Sequence, residues 1–326
     1  MYDFTVLALD GAYGTSVCAT LDILSAAEAL APAARSAAPR WRTCTVKGSD
    51  IQLSGGVRLR ANKLPTPSGS DTSIWVVPGL GVGPDISLAE RLERPDALAA
   101  ADALRRHVDL GGRVAASCSA VFLLHAAGLL SGRRVTTSWW LAPKLQRMAP
   151  ESVVDANRMI CVDGPVTTAG AAFAQTDLML QLLRSRMGGV LADSISKMLL
   201  IDGRQAQAPF IVPEMLAGGD DLAARIAARV EAALPTVPSV AELAQEFCMT
   251  ERTLARRLHR ATGKSTLALI HSVKLRRARI LLESSRMSIE QIAEAVGYSD
   301  STALRRLMKK VAGANPSHFR HAVGYR

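Results

Sequence analysis

The segment 240–257 reads VAELAQEFCMTERTLARR, and the segment 289–306 repeats its pattern as IEQIAEAVGYSDSTALRR. In each copy a short apolar helix is followed by a turn and by a second helix, which begins on hydroxyl residues and then carries arginines. That order is typical of a helix-turn-helix, whose second helix enters the major groove of DNA by its N-terminal end. The two copies are offset by 49 residues (289 − 240) and predict two DNA-reading motifs in tandem.

The pattern also predicts which side chains of the two recognition helices face DNA. If the first recognition helix begins at Thr250, polar and apolar positions fall on opposite faces. The residues predicted to contact DNA are Arg252, Thr253, Ala255, Arg256, Arg257, Ser301, Thr302, Arg305 and Arg306. The residues predicted to pack inward are Leu254, Leu258, Leu304 and Leu307. For Arg257 and Arg305 a phosphate contact is an equal alternative to base reading.

A helix over residues 267–282 is expected to join the two motifs and to fix their separation. Its apolar residues, which should anchor both motifs, are Ile270, Leu275, Ala278, Leu281 and Leu282. Recognition helices that enter successive major grooves on one face of DNA lie about 34 Å apart, one turn of the duplex. One chain is therefore expected to cover roughly two adjacent grooves.

The distribution of charge supports a polyanionic partner. The whole chain has 39 basic and 29 acidic side chains. From Thr236 onward there are 16 basic and 7 acidic side chains, which leaves 23 basic and 22 acidic in the preceding residues. The excess is concentrated where the recognition helices are predicted, and there it strengthens binding to phosphates through counterion release. We therefore expect double-stranded promoter DNA as a partner.

Length and composition predict two globular domains in a reducing compartment. A chain of 326 residues, 48% hydrophobic and 21% charged, can bury two substantial cores. We predict a first domain at 1–202, a linker at 203–221, where Gly and Pro accumulate, and a DNA-binding domain at 222–326. Five scattered cysteines and a first segment without a basic leader favour the cytoplasm. No His/Cys spacing is typical of a metal site, so neither a metal nor a cofactor is expected.

Residues 1–200 alternate strand and helix patterns, which predicts an α/β fold with a doubly wound, mainly parallel sheet. The clearest strand is the uninterrupted apolar run Ile74–Val77, which indicates a strand covered on both faces. The other expected strands are at 5–9, 41–47, 57–61, 113–117 and 166–168, and the expected helices are at 17–30, 95–110, 119–127 and 172–186. The strand at 57–61 is expected at an edge or in a hairpin. An all-α domain is expected to follow from Leu222.

Cys118 lies between a predicted strand and a predicted helix, among small residues in the sequence AASCSA (115–120). Such a sharp turn presents one side chain at the carboxyl edge of the sheet, as in a nucleophile elbow, and a helix N-terminus there favours anions nearby. A cysteine nucleophile normally needs a histidine base. His107 is expected near the exposed end of its helix, and His125 lies roughly 10 Å along its helix from Cys118. The alternative is a small buried cysteine in a tight turn.

Two sets of motifs resemble known families. The C-terminal part resembles the AraC/XylS regulators in Thr250, Arg252, Leu254, Arg256, Gly263, Ala278, Arg279, Leu281, Leu282, Ile292, Ala293, Gly297, Tyr298, Asn315, Pro316, Ser317, Phe319 and Arg320. The N-terminal part is similar to the ThiJ/PfpI, class I glutamine-amidotransferase-like fold in residues 76–79, the Cys118 elbow, 127–133, 136–139 and 167–170. Together the two halves resemble the GlxA-type subgroup of AraC regulators.

This resemblance implies a ligand-responsive transcriptional regulator that is not an enzyme. It implies a flavodoxin-like, amidotransferase-like sensor domain followed by an all-α double helix-turn-helix domain. The residues expected to bind the ligand are Gly79, Cys118, Ser119, Ser138, Trp139 and Gly170, because all of them fall at the carboxyl ends of predicted strands, where a doubly wound sheet opens its crevice. The effector implied is a small nitrogenous metabolite, such as an amino acid or a quaternary amine. A homodimer is expected, and RNA polymerase is a further candidate partner.

The chain departs from the family pattern at two places. Relatives commonly have His-Trp where this chain has Ser138-Trp139, so even a vestigial Cys–His dyad is missing. Leu304 and Met308 replace the usual Phe, but both are apolar, so the core face of the helix is kept. Trp139 and Trp140 would offer an aromatic face to a cationic ligand, or one would pack in the core and the other at a subunit interface.

Two other functions are weighed against the ligand-responsive regulator. One is a thiol-dependent hydrolase or amidotransferase fused to a DNA-binding domain, against which the absence of a histidine near Cys118 argues. The other is a regulator that senses oxidants or electrophiles through Cys118, for which no second cysteine is obviously placed to resolve a sulfenic acid.

Overall fold

The computed structural model describes residues 1–82, 87–201, 207, 222–263, 265–285, 287–312 and 315–316, and their side chains except those of 283, 284 and 310–312. The chain divides into two compact units, Met1–Arg204 and Gln205–Arg326. The linker that the sequence predicts at 203–221 lies outside the described residues, apart from Gln207.

The first unit is built on a seven-stranded sheet accompanied by two small two-stranded sheets. The strands are β1 (Phe4–Leu7), β2 (Trp41–Thr45), β3 (Ile51–Gln52), β4 (Arg58–Leu59), β5 (Asn62–Lys63), β6 (Ile74–Val77), β7 (Arg113–Ser117), β8 (Arg134–Val135), β9 (Val153–Val154), β10 (Ile160–Asp163) and β11 (Val166–Ala169). The large sheet has the order β10-β11-β7-β6-β1-β2-β5, and all its pairs are parallel except β10 with β11. Its five central strands follow the 2-1-3-4-5 order of flavodoxin-like folds. The predicted fold class is confirmed.

Helices cover both faces of this sheet. The helices of the first unit are α1 (Gly14–Leu30), α2 (Leu88–Glu93), α3 (Pro95–Asp109), α4 (Val121–Ala126), α5 (Ala142–Met148), α6 (Ala174–Met187) and α7 (Gly189–Met198). One buried cluster joins the sheet to α3 and α4, and the other joins it to α1, α6 and α7. In β6, Trp75 and Val77 belong to the first cluster while Ile74 and Val76 belong to the second. The alternation follows because successive side chains of a strand point to opposite faces.

The prediction that His107 lies near an exposed helix end is wrong. His107 is fully buried: its ring stacks on that of Trp75 with centroids 4.2 Å apart, and its Nε2 lies 3.1 Å from the carbonyl oxygen of Ser73. It continues the buried stripe of α3 that contains Ala100 and Leu104 at helical spacing. Burial lowers the pKa of His107 below its ordinary value.

Several predicted elements differ in extent from those observed. The helix expected at 119–127 is a 3₁₀ turn, Cys118–Ala120, followed by α4. The strand expected at 57–61 shortens to β4, which pairs antiparallel with β3 in a separate sheet, so the hairpin expectation is confirmed. Elements without a counterpart in the prediction include α5, α7 and β10, all of which lie on the periphery of the parallel sheet.

The second unit is helical in its described residues. Its helices are α8 (Leu222–Ala232), α9 (Val240–Glu246), α10 (Glu251–Thr262), α11 (Thr266–Ser284), α12 (Ile289–Ala295) and α13 (Ser301–Ala312). One buried cluster contains α8, α9, α10 and the first half of α11, and another contains the second half of α11 with α12 and α13. The expectation that one helix anchors both motifs is confirmed: Ile270 packs in the first cluster, and Leu275 and Leu282 pack in the second.

Candidate functional site

Cys118 directly follows β7 and adopts a backbone conformation that is uncommon for a residue with a side chain, with φ of 55°. Its N–H donates to the carbonyl oxygen of Gly170 at 2.7 Å, and its own carbonyl oxygen accepts from Oγ1 of Thr137 at 2.7 Å. These two hydrogen bonds hold the strained turn between β7 and the following 3₁₀ turn. The predicted nucleophile-elbow geometry is therefore present.

The side chain that hydrogen-bonds to the Cys118 thiol carries a hydroxyl group. Oγ of Ser138 donates to Sγ of Cys118 at 3.0 Å. A serine hydroxyl does not take up a proton near neutral pH, so it cannot activate the thiol as an imidazole does. His107 contacts Trp75 and Ser73 instead, and His125 lines a different cavity of about 290 Å³. The described part of the chain thus places no imidazole in contact with the thiol.

Gly79 lies directly opposite Cys118. A Cβ added to Gly79 would be 3.3 Å from Cβ of Cys118, 3.7 Å from its Sγ and 3.8 Å from Oγ of Ser16. The carbonyl oxygen of Gly79 accepts from the N–H of Tyr13 at 2.8 Å, and Oγ of Ser16 donates to the carbonyl oxygen of Ala172 at 3.1 Å. The loops after β1, β6, β7 and β11 therefore meet at the thiol, at the carboxyl edge of the sheet.

The structure brings some of the predicted ligand-binding residues to the side chain of Cys118, but not all of them. Gly79 and Ser138 lie against the side chain of Cys118, and Gly170 binds its backbone N–H. The side chain of Ser119 is fully buried and donates to the carbonyl oxygen of Leu80 at 2.8 Å, so its hydroxyl supports the loop after β6.

Contrary to the prediction, Ser138 and Trp139 do not follow a strand of the large sheet. They follow β8, which pairs with β9 in a separate two-stranded sheet. Trp139 is 5% exposed and packs edge to face against Trp140, which is 37% exposed, with ring centroids 5.1 Å apart. The loop after β8 nevertheless reaches Cys118, because hydrogen bonds from Thr137 and Ser138 tie it there.

Sequence reasoning missed Tyr13, Ser16 and Thr137 as neighbours of the elbow. Thr137 stands beside Ser138 in the segment 136–139, which is similar to the ThiJ/PfpI fold, so its place near Cys118 could have been predicted from the sequence. Tyr13 and Ser16 lie at the start of α1, more than a hundred residues before Cys118, and no motif marks them. Their placement depends on the pairing of β1 with β6.

The first helix-turn-helix consists of α9 and α10. Ser239 caps α9 in a capping box with Glu242, and Thr250 caps α10, so the recognition helix begins at Glu251, one residue later than the sequence suggests. Of the residues predicted to contact DNA, Arg252, Arg256 and Arg257 are exposed and Thr253 and Ala255 are half-buried. The inward-packing prediction is confirmed, since Leu254 and Leu258 are fully buried.

The second helix-turn-helix consists of α12 and α13. Oδ1 of Asp300 accepts from the N–H of Ala303 at 2.9 Å and caps the recognition helix. Thr302, Arg305 and Arg306 are exposed, whereas Ser301 is half-buried. Leu304 is fully buried, Met308 is 2% exposed, and Leu307 is partly buried against the same cluster. An arginine-bearing face therefore lies opposite an apolar one, as predicted.

The two arginines of α13 differ in their neighbours. Nη2 of Arg305 lies 3.8 Å from Oε1 of Glu290, which also accepts a hydrogen bond from Ser301. Hydrogen bonds with its own backbone, with Ser288 and with Ser301 lower the pKa of Glu290. Glu290 is therefore anionic at neutral pH. Arg306 makes no ion pair closer than 4 Å with a described residue.

Metal-binding and membrane-spanning features are absent from the described part of the chain. No group of three or more His, Cys, Asp or Glu side chains there is arranged to hold a metal ion. None of the described helices is long and apolar enough to cross a membrane.

The fold and the sites define the class: an amidotransferase-like α/β unit with a cysteine elbow, followed in the chain by two helix-turn-helix motifs. The sequence matches the DJ-1/PfpI family over residues 6–185, which is more than half of the chain, and a helix-turn-helix domain over residues 243–322. The chain therefore belongs to the DJ-1/PfpI family and carries a C-terminal helix-turn-helix domain. The resemblance seen in the sequence is confirmed.

Curated relatives share both halves. The chain is 27% identical to the HTH-type transcriptional regulator GlxA of Rhizobium meliloti (strain 1021), with 85% of this chain and 83% of that protein covered. It is 27% identical to the HTH-type transcriptional regulator CdhR of Pseudomonas aeruginosa, with 98% and 91% covered. An AraC family transcriptional regulator from Pseudomonas putida has the same fold over 61% of this chain and 100% of its own, with a TM-score of 0.51 and 19% identity.

Proposed function

We propose that this protein is a sequence-specific DNA-binding transcriptional regulator whose first unit senses a small, nitrogenous metabolite. The observation that carries the proposal is the pair of helix-turn-helix motifs, each of which exposes arginines on one face and buries leucine on the other. The relatives GlxA and CdhR, which align with this chain across both units, carry the name of transcriptional regulators. Ligand binding would change the affinity for DNA by a coupling free energy of about 1–3 kcal/mol.

The first unit is proposed to bind its ligand at the elbow without turning it over. Gly79, Cys118, Ser138 and Gly170 meet there, and Ser138 stands where catalysis would need an imidazole. Trp139 and Ser119 are proposed to shape this site from within the core. We further propose that the protein acts as a cytoplasmic homodimer and contacts RNA polymerase at its promoters.

The test of a non-enzymatic sensor compares turnover with binding. Purified protein is incubated with glutamine, a peptide and methylglyoxal, and product is measured by mass spectrometry; candidate amino acids and quaternary amines are then titrated by calorimetry. We expect saturable binding of an amine and no product. Product formation that disappears in Cys118→Ala would overturn the proposal, and Ser138→His serves as the variant in which a base has been restored.

A second candidate function is redox or electrophile sensing through Cys118, which is favoured by the position of its thiol at the elbow; Cys18 in α1 and Cys248 after α9 are more exposed but do not lie at that turn. Cys44 and Cys161 are buried, and burial raises the pKa of Cys161 to about 11, so neither competes as the reactive thiol. Under this alternative, peroxide would change DNA affinity in the wild type and not in Cys118→Ser. Under the ligand-sensing proposal, Cys118→Ser keeps its response to the ligand.

A further inference from the structure

A concave site lies on the same edge of the first unit, away from the elbow. It is a cleft of about 420 Å³ at the carboxyl ends of β1 and β2, closed on one side by the N-terminal turn of α3. Its polar lining includes Asp10, Thr45, Lys47, Asp50, Arg94 and Asp96, and none of the residues proposed for the elbow lines it. A volume of this size is typical of small-molecule sites. The neighbouring pair β1 and β6 is the point where the strand order reverses, and ligands of open α/β sheets bind beside that point.

The walls of the cleft are tied together by a buried arginine. Arg91 is 1% exposed, and its guanidinium donates to both carboxylate oxygens of Asp96, at 3.0 and 2.8 Å, and to the carbonyl oxygen of Asp10 at 3.1 Å. Oδ1 of Asp10 in turn accepts from the N–H of Gln52 at 3.0 Å. These bonds connect α2, α3, the loop after β1 and β3. The cleft is therefore preorganised, and a ligand does not have to order its walls.

The loop after β2 forms another wall of the cleft. It is held by hydrogen bonds and presents two opposite charges. Oγ1 of Thr45 accepts from the N–H of Gly48 at 3.0 Å and donates to the carbonyl oxygen of Ser49 at 3.1 Å. This turn sets the exposed side chains of Lys47 and Asp50 at the cleft. Neither forms an ion pair with another described residue, so both charges are available to a ligand.

We propose that this cleft binds a free amino acid or a similar small zwitterion. The ligand's carboxylate pairs with Lys47 and Arg94, and its ammonium group pairs with Asp50 and the carboxylate of Asp10. The carboxylate of Asp96 is already neutralised by Arg91, which leaves two cations and two anions at the cleft. Charge-assisted hydrogen bonds of both signs select a zwitterion over a simple acid or a simple amine. This site is additional to the elbow, and binding here does not require Cys118.

The test screens the full-length protein by thermal unfolding with each proteinogenic L-amino acid in turn, because a ligand that binds the native state raises the unfolding temperature. All four tryptophans, Trp41, Trp75, Trp139 and Trp140, lie in the first unit, so their fluorescence reports its unfolding. The amino acid with the largest shift is then titrated by calorimetry. Its decarboxylated amine and its deaminated acid are titrated beside it, and both should bind more weakly than the amino acid, because each lacks one of the two charges that the cleft pairs.

Four variants locate the binding site. Lys47→Met and Asp50→Asn should each weaken binding at least about tenfold. Arg60→Met and Asp22→Asn, which change exposed charges outside the cleft, should bind as the wild type does. The proposal is overturned if no amino acid shifts the wild type, or if the shift survives in Lys47→Met and Asp50→Asn. Since DNA binding is not part of this readout, failure here leaves the proposed regulatory function intact.

Discussion

At the scale of single residues, His107 is the side chain whose environment most changes its chemistry. It is buried against Trp75, and burial lowers its pKa below the ordinary value of about 6.5. The unfolded chain therefore binds a proton at His107 at a higher pH than the folded chain does. Stability from this residue is complete above pH 6.5 and falls as the pH drops from about 6.5 toward the lowered folded pKa.

We predict that His107→Phe removes this pH dependence, because phenylalanine keeps an aromatic ring against Trp75 and does not titrate. The free energy of unfolding, followed by tryptophan fluorescence in urea, should decline more steeply in the wild type than in the variant between pH 7 and 5. His125→Gln serves as the control, since His125 does not stack on Trp75, and should keep the wild-type slope. An equal slope in His107→Phe would contradict the assignment.

A second residue-scale prediction concerns Gly81, where two loops at the carboxyl edge come together. A Cβ at Gly81 would lie 1.5 Å from the carbonyl oxygen of Gly11, so the backbone of one loop must move. Gly81→Ala should lower the free energy of unfolding by about 1–3 kcal/mol. Gly69→Ala is the matched control, because a Cβ at Gly69 meets nothing within 4 Å. Equal stability of the two variants in urea would contradict this prediction.

At the scale of elements, the two recognition helices should divide the reading of DNA bases. Arg256 is exposed on α10 and Arg306 on α13, and arginine is the usual reader of guanine. Arg256→Ala should relax base preference in one half of the binding site and Arg306→Ala in the other, at about 1–3 kcal/mol for each lost bidentate contact. The measurement is a selection from randomised DNA followed by sequencing. Uniform weakening on all sequences would identify phosphate contacts instead.

A lysine on α11 contacts the turn of the second helix-turn-helix motif. Nζ of Lys274 donates to the carbonyl oxygen of Gly297 at 2.9 Å and lies 4.7 Å from the ring centre of Tyr298. Burial raises the pKa of Tyr298 to about 12, so it presents a neutral aromatic ring to the cation. Gly297 also lies against Pro235, whose carbonyl oxygen would be 2.0 Å from an added Cβ. The turn of the second motif is thereby held against α11 and the entry to the first motif.

We predict that Lys274→Met loosens this connection. The loss of a part-buried hydrogen bond from a charged donor should reduce the free energy of unfolding of the second unit by about 1–3 kcal/mol. Binding to DNA with both half-sites should fall more than binding to a single half-site, because the spacing is no longer set by the protein. Circular dichroism in urea and fluorescence anisotropy measure the two effects. Arg277→Met, which changes an exposed cation on the same helix, is the stability control, and identical stability of the two variants would contradict the prediction.

At the scale of the whole molecule, the basic excess and both helix-turn-helix motifs lie in the second unit. We predict that residues 222–326 bind promoter DNA by themselves, with an affinity that falls by at least about a hundredfold between roughly 50 and 200 mM salt. Residues 1–202 should not bind the same DNA at any of these concentrations. Tight binding by the first fragment, or an affinity that does not respond to salt, would show that the DNA-binding surface lies elsewhere.

The DNA-reading half could be predicted almost completely from the sequence. Its information is local: caps such as Ser239 and Thr250, turns and the i, i+4 spacing of Leu254 and Leu258 each depend on neighbours within one or two helical turns. The same holds for the cysteine elbow, where small residues between a strand and a helix fix a sharp turn. A pattern repeated twice, together with a localised charge excess, was therefore enough to predict this part of the fold and its DNA partner.

What surrounds the thiol and what lines the cleft was decided by tertiary structure. Ser138 contacts Cys118 across 20 residues, and Arg91 reaches the backbone of Asp10 across 81 residues. Such pairs arise because the strand order β2-β1-β6-β7-β11 brings the carboxyl ends of distant strands to one edge. The hydrophobic periodicity of the sequence does not indicate the order of the strands in the sheet. The sequence by itself thus determined the elements and their faces, and the packing of the sheet determined which side chains share a site.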